Sequence, residues 1–141
     1  MKDNILMLVN DLLHKNIIRP SNSEYASRVV LVPKRNKTHR LCIDYRALNK
    51  VILKDRFPLP IIEDCLDKLQ GKNVFSLIDL KNGFFHIPIH ADSIKYTSFI
   101  TQDGQFEFVK CPFGLCNSPA VFQRHINQIV RPLIDDGSIV I

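Results

Sequence analysis

The chain has 141 residues, of which 45% are hydrophobic, and its 19 Lys and Arg against 14 Asp and Glu give a net charge of +5. That size and composition fit one globular domain or part of one, and the basic excess is compatible with a polyanionic partner without requiring it. No apolar run approaches the roughly 18 residues of a membrane span. With no secretory leader, the 4 scattered cysteines favour reduced thiols in an intracellular compartment.

The first part of the sequence predicts a helix and then a charged hairpin. Apolar residues at helical spacing predict an amphipathic helix over about residues 3–15. Two β-rich runs, 29–32 and 41–43, flank a tip in which four of eight residues are cationic. This tip is either a solvated loop or a phosphate grip, in which Lys34 supplies a point charge and Arg40 a planar fork for phosphate oxygens.

The middle of the sequence predicts a short helical turn over 44–50, a helix over 61–69, and a buried strand from Val74 to Asp79. Asp79 would then close a buried strand, where a charged carboxylate is costly unless it is exposed, paired or bound to a cation. The ordinary alternative is a side chain that caps the following turn.

The second half predicts a hairpin and a long helix. A strand is predicted over residues 86–89, where Pro88 implies an edge or an irregular pairing. Asp103-Gly104 predicts a tight turn between strands at 96–100 and 106–109. A metal alternative for this region is a zinc site, which could be built from four side chains. They are Cys111, Cys116, His86 and His90.

The last predicted elements are a helix and a strand. Ser118 is expected to be the N-cap and Pro119 the first helical residue, with a kink at Pro132. A Val/Ile-rich strand then begins at Ser138 and stops at Ile141, which leaves an unpaired edge. We therefore expect the sequence to be truncated.

Three blocks of sequence, in this order, resemble the fingers and palm of a reverse transcriptase, with the gypsy-type retrotransposon and retroviral enzymes as the nearest type. The blocks are Arg40–Lys50, Ser76–Phe85 and Pro112–Gln123, and the resemblance extends from about residue 12 to residue 141. Phe113 is more typical of gypsy-type elements, since retroviral enzymes usually have Gln there.

The resemblance implies an α+β fold, in which an antiparallel sheet packs on helices. It implies one reverse transcriptase domain over residues 1–141 that is incomplete at its C-terminus. Fingers would take mainly about 12–70 and 90–116, and palm mainly about 71–89 and 117–141.

The implied reaction adds deoxynucleotides to a primer 3′-hydroxyl with the help of two Mg²⁺ ions, which such sites hold about 3.5–4 Å apart. Asp79 would be a catalytic metal ligand, together with the Leu80 carbonyl. The remaining carboxylates of the family lie in a Tyr-x-Asp-Asp turn that this sequence does not reach, and Asp135-Asp136 is not that pair because Gly137 follows it at a helix end.

The resemblance also assigns binding roles to individual residues. Those expected to contact the nucleotide are Lys34, Arg40, Asn82, Gly83, Phe84, Phe113 and Gly114, and those expected to contact nucleic acid are Arg35, Lys37 and Pro119. Phe84 would lie under the sugar, where a 2′-hydroxyl would clash with its ring.

The expected partners are an RNA or DNA template-primer, deoxynucleoside triphosphates and the rest of a Pol polyprotein, with no membrane. The cytoplasm or a virus-like particle is the expected location. We expect the isolated chain to be inactive, because one carboxylate does not hold two metal ions. The alternative is a non-catalytic transposon remnant that at most binds nucleic acid through its cationic hairpin tip.

Overall fold

The structure is a computed structural model that describes residues 2–33 and 39–140, with side chains from Asn4 onward. The strands are β1 Ile18–Pro20, β2 Ser27–Pro33, β3 His39–Asp44, β4 Phe99–Thr101 and β5 Gly104–Phe108. The helices are α1 Lys2–His14, α2 Arg46–Val51, α3 Ile62–Lys68, α4 Ala91–Ile94, α5 Ser118–Ile129 and α6 Arg131–Asp135. Two 3₁₀ turns lie at Gly83–His86 and Lys95–Thr97.

The five strands form one sheet in the order β1-β5-β4-β2-β3. The predicted hairpins are confirmed: β2 pairs with β3 and β4 pairs with β5, both antiparallel. The two hairpins are joined by a parallel pairing and not by an antiparallel one. It pairs residues 27–28 of β2 with residues 99–100 of β4. The sheet is therefore mixed, and β4 joins the two hairpins.

The core lies between α1 and the sheet. Val9 of α1 is 1% exposed, and Phe99 of β4 is fully buried beside Phe106 and Phe108. Tyr45, 1% exposed, donates its hydroxyl to the carbonyl of Thr97 at 2.7 Å. Burial of each such aromatic side chain contributes about 1.5–3 kcal/mol, so this cluster stabilises the packing of α1 on the sheet.

The predicted helices over 3–15 and 61–69 are confirmed as α1 and α3. The start of α5 differs by one residue, since Asn117 is the N-cap and Ser118 is the first helical residue. Ser118 is instead buried, and its hydroxyl donates to the carbonyl of Pro112 at 2.8 Å. The predicted break near Pro132 is confirmed, because Val130 separates α5 from α6.

The predicted buried strand from Val74 to Asp79 is wrong. This segment has no regular secondary structure, and Val74, Leu77 and Ile78 are 89%, 97% and 79% exposed. A strand needs a neighbour to accept its backbone hydrogen bonds, and within residues 2–33 and 39–140 no segment pairs with it. Asp79 therefore lies in an exposed irregular segment.

Two further strand predictions have different outcomes. No regular strand forms over residues 86–89, but the irregular pairing predicted at Pro88 is confirmed: an isolated bridge joins Pro88 to Lys110, and proline has no N–H to extend it into a ladder. The amides of Ser138 and Ile139 bond back to Asp136 and to Leu133 at the end of α6, so residues 138–140 do not enter a strand.

None of the helices within residues 2–33 and 39–140 has both the length and the apolarity that crossing a bilayer requires.

Candidate active site

An open cleft of about 390 Å³ lies between the irregular segment, the Gly83–His86 turn and α5. Its lining residues are Ile78, Asp79, Leu80, Gly83, Phe84, Phe113, Phe122, Gln123 and Ile126. Asp79 is the one carboxylate among these described residues, and it is exposed. The cleft thus combines a single acidic group with a floor of aromatic rings.

The turn that follows Asp79 reverses the chain and separates two neighbouring rings. Asn82 has the left-handed φ of 54° that Asn tolerates better than most residues, and its carbonyl accepts from the Phe85 amide at 2.9 Å. Phe84 lines the Asp79 cleft, whereas Phe85 lines a second pocket. One turn therefore supplies a wall to each of two adjacent cavities.

Aromatic contacts fix the floor of the cleft. The Phe84 ring centroid lies 4.9 Å from that of Phe113 and 5.4 Å from that of Phe122. Phe85 is 5.3 Å from Phe113 in an edge-on arrangement. Such pairs contribute about 0.5–1.5 kcal/mol beyond the area that they bury, so Phe84 is held in place from two sides.

The second pocket, of about 150 Å³, lies between α1, β3 and the same turn. Arg40, Asn82 and Phe113 belong to its lining. The Arg40 guanidinium lies 6.0 Å from the centre of the Phe113 ring, which is at the outer limit of a cation–π contact. Phe113 lines both cavities. The exposed Arg40, which contacts this ring, therefore lies next to the Asp79 cleft.

The loop that carries Phe113 is held by an amide from α2. Asn49 donates through Nδ2 to the Gly114 carbonyl at 2.8 Å and accepts through Oδ1 from the Cys116 amide at 2.9 Å. Gly114 has a φ of +97°, and a Cβ there would lie 3.4 Å from the Ile43 carbonyl oxygen. The loop thus depends on a left-handed glycine and on a cross-linking amide.

The segment after α2 is fastened to α5. Asn117 donates to the Leu53 carbonyl at 2.9 Å and accepts from the Asp55 amide at 3.0 Å. Arg124 of α5 reaches the Asp55 carboxylate at 2.6 Å and covers the Phe57 ring at 4.9 Å. The hydrogen bond from Arg124 is the main reason why the pKa of Asp55 is lowered.

The zinc alternative gains no support. Within the described part of the chain, no group of three or more His, Cys, Asp or Glu side chains is arranged to hold a metal. Burial raises the pKa of the Cys111 thiol, whose sulphur lies 3.1 Å from the Ser118 hydroxyl. Cys111 therefore packs as a neutral core residue.

The structure brings together most of the residues expected at the site. Those in or between the two cavities are Asp79, Leu80, Asn82, Gly83, Phe84, Phe113 and Arg40. Gly114 lies in the adjoining loop, and Pro119 is exposed at the start of α5 and lines neither cavity. Lys34, Arg35 and Lys37 lie outside the described residues.

Sequence reasoning missed part of the lining. Phe122 and Ile126 are four residues apart on one face of α5, which indicates a shared surface but not which surface it covers. Gln123 lines the same cleft as a neutral polar group. The sequence around Asn49 does not indicate its role, because its hydrogen-bond partners are 65 and 67 residues away.

Comparison with known proteins identifies the family. A family model described as reverse transcriptase (RNA-dependent DNA polymerase) matches residues 32–141. The chain belongs to the reverse transcriptase family. The retrovirus-related Pol polyprotein from transposon 297 of Drosophila melanogaster is 42% identical over 94% of this chain and 13% of its own length. That from transposon gypsy is 38% identical over 89% of the chain and 13% of its own length.

Solved reverse transcriptases share the fold. The foamy viral protease-reverse transcriptase in complex with dsDNA has a TM-score of 0.80 and 28% identity over 94% of this chain and 28% of that chain. The same protein with an RNA/DNA hybrid has a TM-score of 0.78 and 26% identity over 94% of this chain and 18% of that chain. These matches confirm the predicted fold class and the retrotransposon affiliation, while the chain spans only a minor part of its relatives.

Proposed function

We propose that this chain supplies the fingers and part of the palm of a retrotransposon RNA-directed DNA polymerase. The fingers would take mainly residues 12–70 and 90–116, and the palm mainly 71–89 and 117–141. The observation that carries the proposal is the shared wall of the two cavities: Phe113 lies between Asp79 and Arg40, so a carboxylate and a cation flank one aromatic floor.

The metal-binding part of the proposal rests on Asp79 and the Leu80 carbonyl. Asp79 and Leu80 both line the open cleft, and carboxylate and carbonyl oxygens are the ligand type that Mg²⁺ prefers. When bound, Mg²⁺ supplies Lewis-acid stabilisation of charge on phosphate oxygens. The residues fit one shared ligand position rather than a complete two-metal site, because the described lining offers a single carboxylate.

The proposed nucleotide contacts are assigned to residues that line the two cavities. Arg40 is exposed and presents a guanidinium fork suited to a triphosphate, to which Lys34 would add a second cation. The amides of Asn82 and Gly83 would face the phosphates, and Phe84 would exclude a 2′-hydroxyl. Its ring suits this role, since Phe113 and Phe122 hold it from two sides.

Binding of dATP and ATP tests the nucleotide site, since the two probes differ only at the 2′-hydroxyl. With Mg²⁺ present, we expect the chain to bind dATP more tightly, with shifts of the backbone amide signals of residues 82–84 and 114. Phe84→Ala should abolish the preference. Phe75→Ala, at an exposed ring outside both cavities, is the matched control and should keep it. Equal binding of both probes by the unsubstituted chain would contradict the proposal.

Mn²⁺ broadening of amide signals tests the metal ligand. We expect selective broadening at residues 78–83, and we expect Asp79→Asn to remove it. Asp64→Asn removes a carboxylate from the exposed helix α3 and should leave the broadening unchanged. Broadening that survives Asp79→Asn would place the metal elsewhere.

We also propose that these 141 residues on their own do not polymerise, because one carboxylate does not fix two metal ions in line with a primer. Primer extension with Mg²⁺ and deoxynucleotides should not exceed the background of Asp79→Ala. Extension above that background would overturn this part of the proposal.

Nucleic-acid binding without catalysis is the second candidate function. The exposed Arg40 favours it, as do the cations Lys34, Arg35 and Lys37 that precede Arg40 in the sequence. The solved neighbours bound to dsDNA and to an RNA/DNA hybrid support a template-primer as partner. If the cations neutralise phosphates, affinity should fall with log salt at a slope of about −0.9 per contact on duplex DNA. Binding that is absent or independent of salt would exclude this function.

A further inference from the structure

The side chain of Asn49 is bonded to both sides of a loop that it does not belong to. Its Nδ2 donates to the Gly114 carbonyl at 2.8 Å, and its Oδ1 accepts from the Cys116 amide at 2.9 Å. Because the donor and the acceptor ends of one amide are both used, the orientation of the side chain and the position of the loop determine each other.

The residue next to this cross-link is Phe113, which faces both cavities. Its ring centre lies 4.9 Å from that of Phe84 and 6.0 Å from the Arg40 guanidinium. Phe113 is itself 40% exposed, so packing alone holds it only in part. A shift of the Gly114 backbone would therefore move the ring relative to both Phe84 and Arg40.

We propose that Asn49 is a positioning residue for the incoming nucleotide. It acts through the backbone of Gly114 and Cys116, and it keeps the Phe113 ring at the junction of the two cavities. This inference rests on the proposed function, because it concerns the same nucleotide site. Neither cavity has Asn49 in its lining, so its effect on a ligand is transmitted by the loop.

A purely structural role is the competing explanation, and Asn117 provides the matched control. Asn117 also makes two hydrogen bonds across the fold, to the Leu53 carbonyl and from the Asp55 amide. These bonds fasten the segment after α2 and do not involve the Phe113 and Gly114 backbone. Replacing either asparagine by leucine removes these two hydrogen bonds at nearly constant volume, and at Asn117 it also removes a long 3.5 Å contact from the Cys116 thiol.

The test compares the full chain with Asn49→Leu and Asn117→Leu. The dissociation constant for dATP in the presence of Mg²⁺ is measured from amide shifts, and hydrogen exchange is measured at the Cys116 amide. We expect Asn49→Leu to weaken dATP binding about tenfold, from the loss of two hydrogen bonds, and to accelerate exchange at Cys116. Asn117→Leu should change the dissociation constant less than twofold and leave that exchange slow.

Equal effects of the two substitutions on dATP binding would overturn the inference, because both would then act through stability alone. If Asn49→Leu does not fold, Asn49→Ser replaces it and the same comparison decides. Failure of the unsubstituted chain to bind dATP would reject the proposed function itself, and the role of Asn49 with it. That result is seen before any substitution is made, so the two failures are distinct.

Discussion

Gly83 lies directly against Phe122, because a Cβ atom at residue 83 would come within 2.8 Å of Cε2 of that ring. The 3₁₀ turn beside Asp79 therefore approaches α5 as closely as it does only with glycine. This contact links the turn with Phe84 to the helix that lines the other side of the cleft.

Gly83→Ala should destabilise this contact, since overpacking typically costs about 1–3 kcal/mol. The free energy of unfolding from urea denaturation measures the effect. Phe122→Leu removes the ring that the new methyl group would meet, so the cost of Gly83→Ala should shrink in that background. Strict additivity of the two substitutions would contradict the contact.

The apolar side chains exposed in segment 74–80 should bind hydrophobic dyes and lower the solubility of the chain. Leu77 is 97% exposed and Ile78 is 79% exposed, and several neighbours are apolar too. Leu77→Lys and Ile78→Lys should lower ANS fluorescence and raise solubility, while the free energy of unfolding changes by no more than about 0.5 kcal/mol. A large loss of stability would show instead that these side chains are buried.

Thr97→Val should destabilise the fold although it keeps the shape of the side chain. The buried hydroxyl donates to the Ile94 carbonyl at 2.7 Å and accepts from the Phe108 amide at 2.9 Å. Valine leaves that amide without its partner, which costs about 1–3 kcal/mol in thermal or urea unfolding. Thr101→Val, at an exposed hairpin hydroxyl, is the control and should cost less than half as much.

The ionised Asp44 carboxylate should stabilise the fold at neutral pH but not in strong acid. The hydrogen bond from Arg46 lowers the pKa of Asp44 to about 2, from an unfolded value of about 3.9. Because the folded pKa is depressed, the contribution is fully present above pH 4 and is lost as the pH falls towards 2. Asp44→Asn should therefore lower the Tm at pH 6 but leave it almost unchanged at pH 2.

A double substitution checks the cause of this pKa shift. In an Arg46→Met background, the main hydrogen bond to Asp44 is absent, so Asp44→Asn should lower the Tm at pH 6 by less than it does in the parent chain. An undiminished effect would mean that Arg46 is not the partner responsible.

Local patterns predicted the elements whose signals lie within a few residues. The apolar spacing of α1 and the Asp103-Gly104 turn both gave correct elements, because the period of burial or the turn geometry is encoded in adjacent residues. The pairing of Ser27 with Phe99 had no such signal, since it joins segments far apart in sequence.

The strand prediction for Val74 to Asp79 failed for a related physical reason. A Val/Ile-rich run indicates a capacity for pairing, but whether a strand forms depends on a neighbour that its own sequence does not encode. The candidate site also divides into residues that sequence motifs indicate and residues that only the fold brings together. Asp79, Phe84 and Phe113 were found through the motifs that carry them, whereas Asn49 and Phe122 became visible only through distances in the fold.

The position of β4 between the two hairpins has a consequence for synthesis of the chain. On the ribosome, α1, β1 and the β2–β3 hairpin emerge well before β4 and β5, to which β1 and β2 are paired in the finished sheet. Within these early elements β2 pairs with β3, but β1 and the edge of β2 that pairs with β4 have no strand partner until Phe108 has left the exit tunnel. Completion of the five-stranded sheet is thus expected only after β5 has been synthesised, because its non-local pairings need β4 and β5.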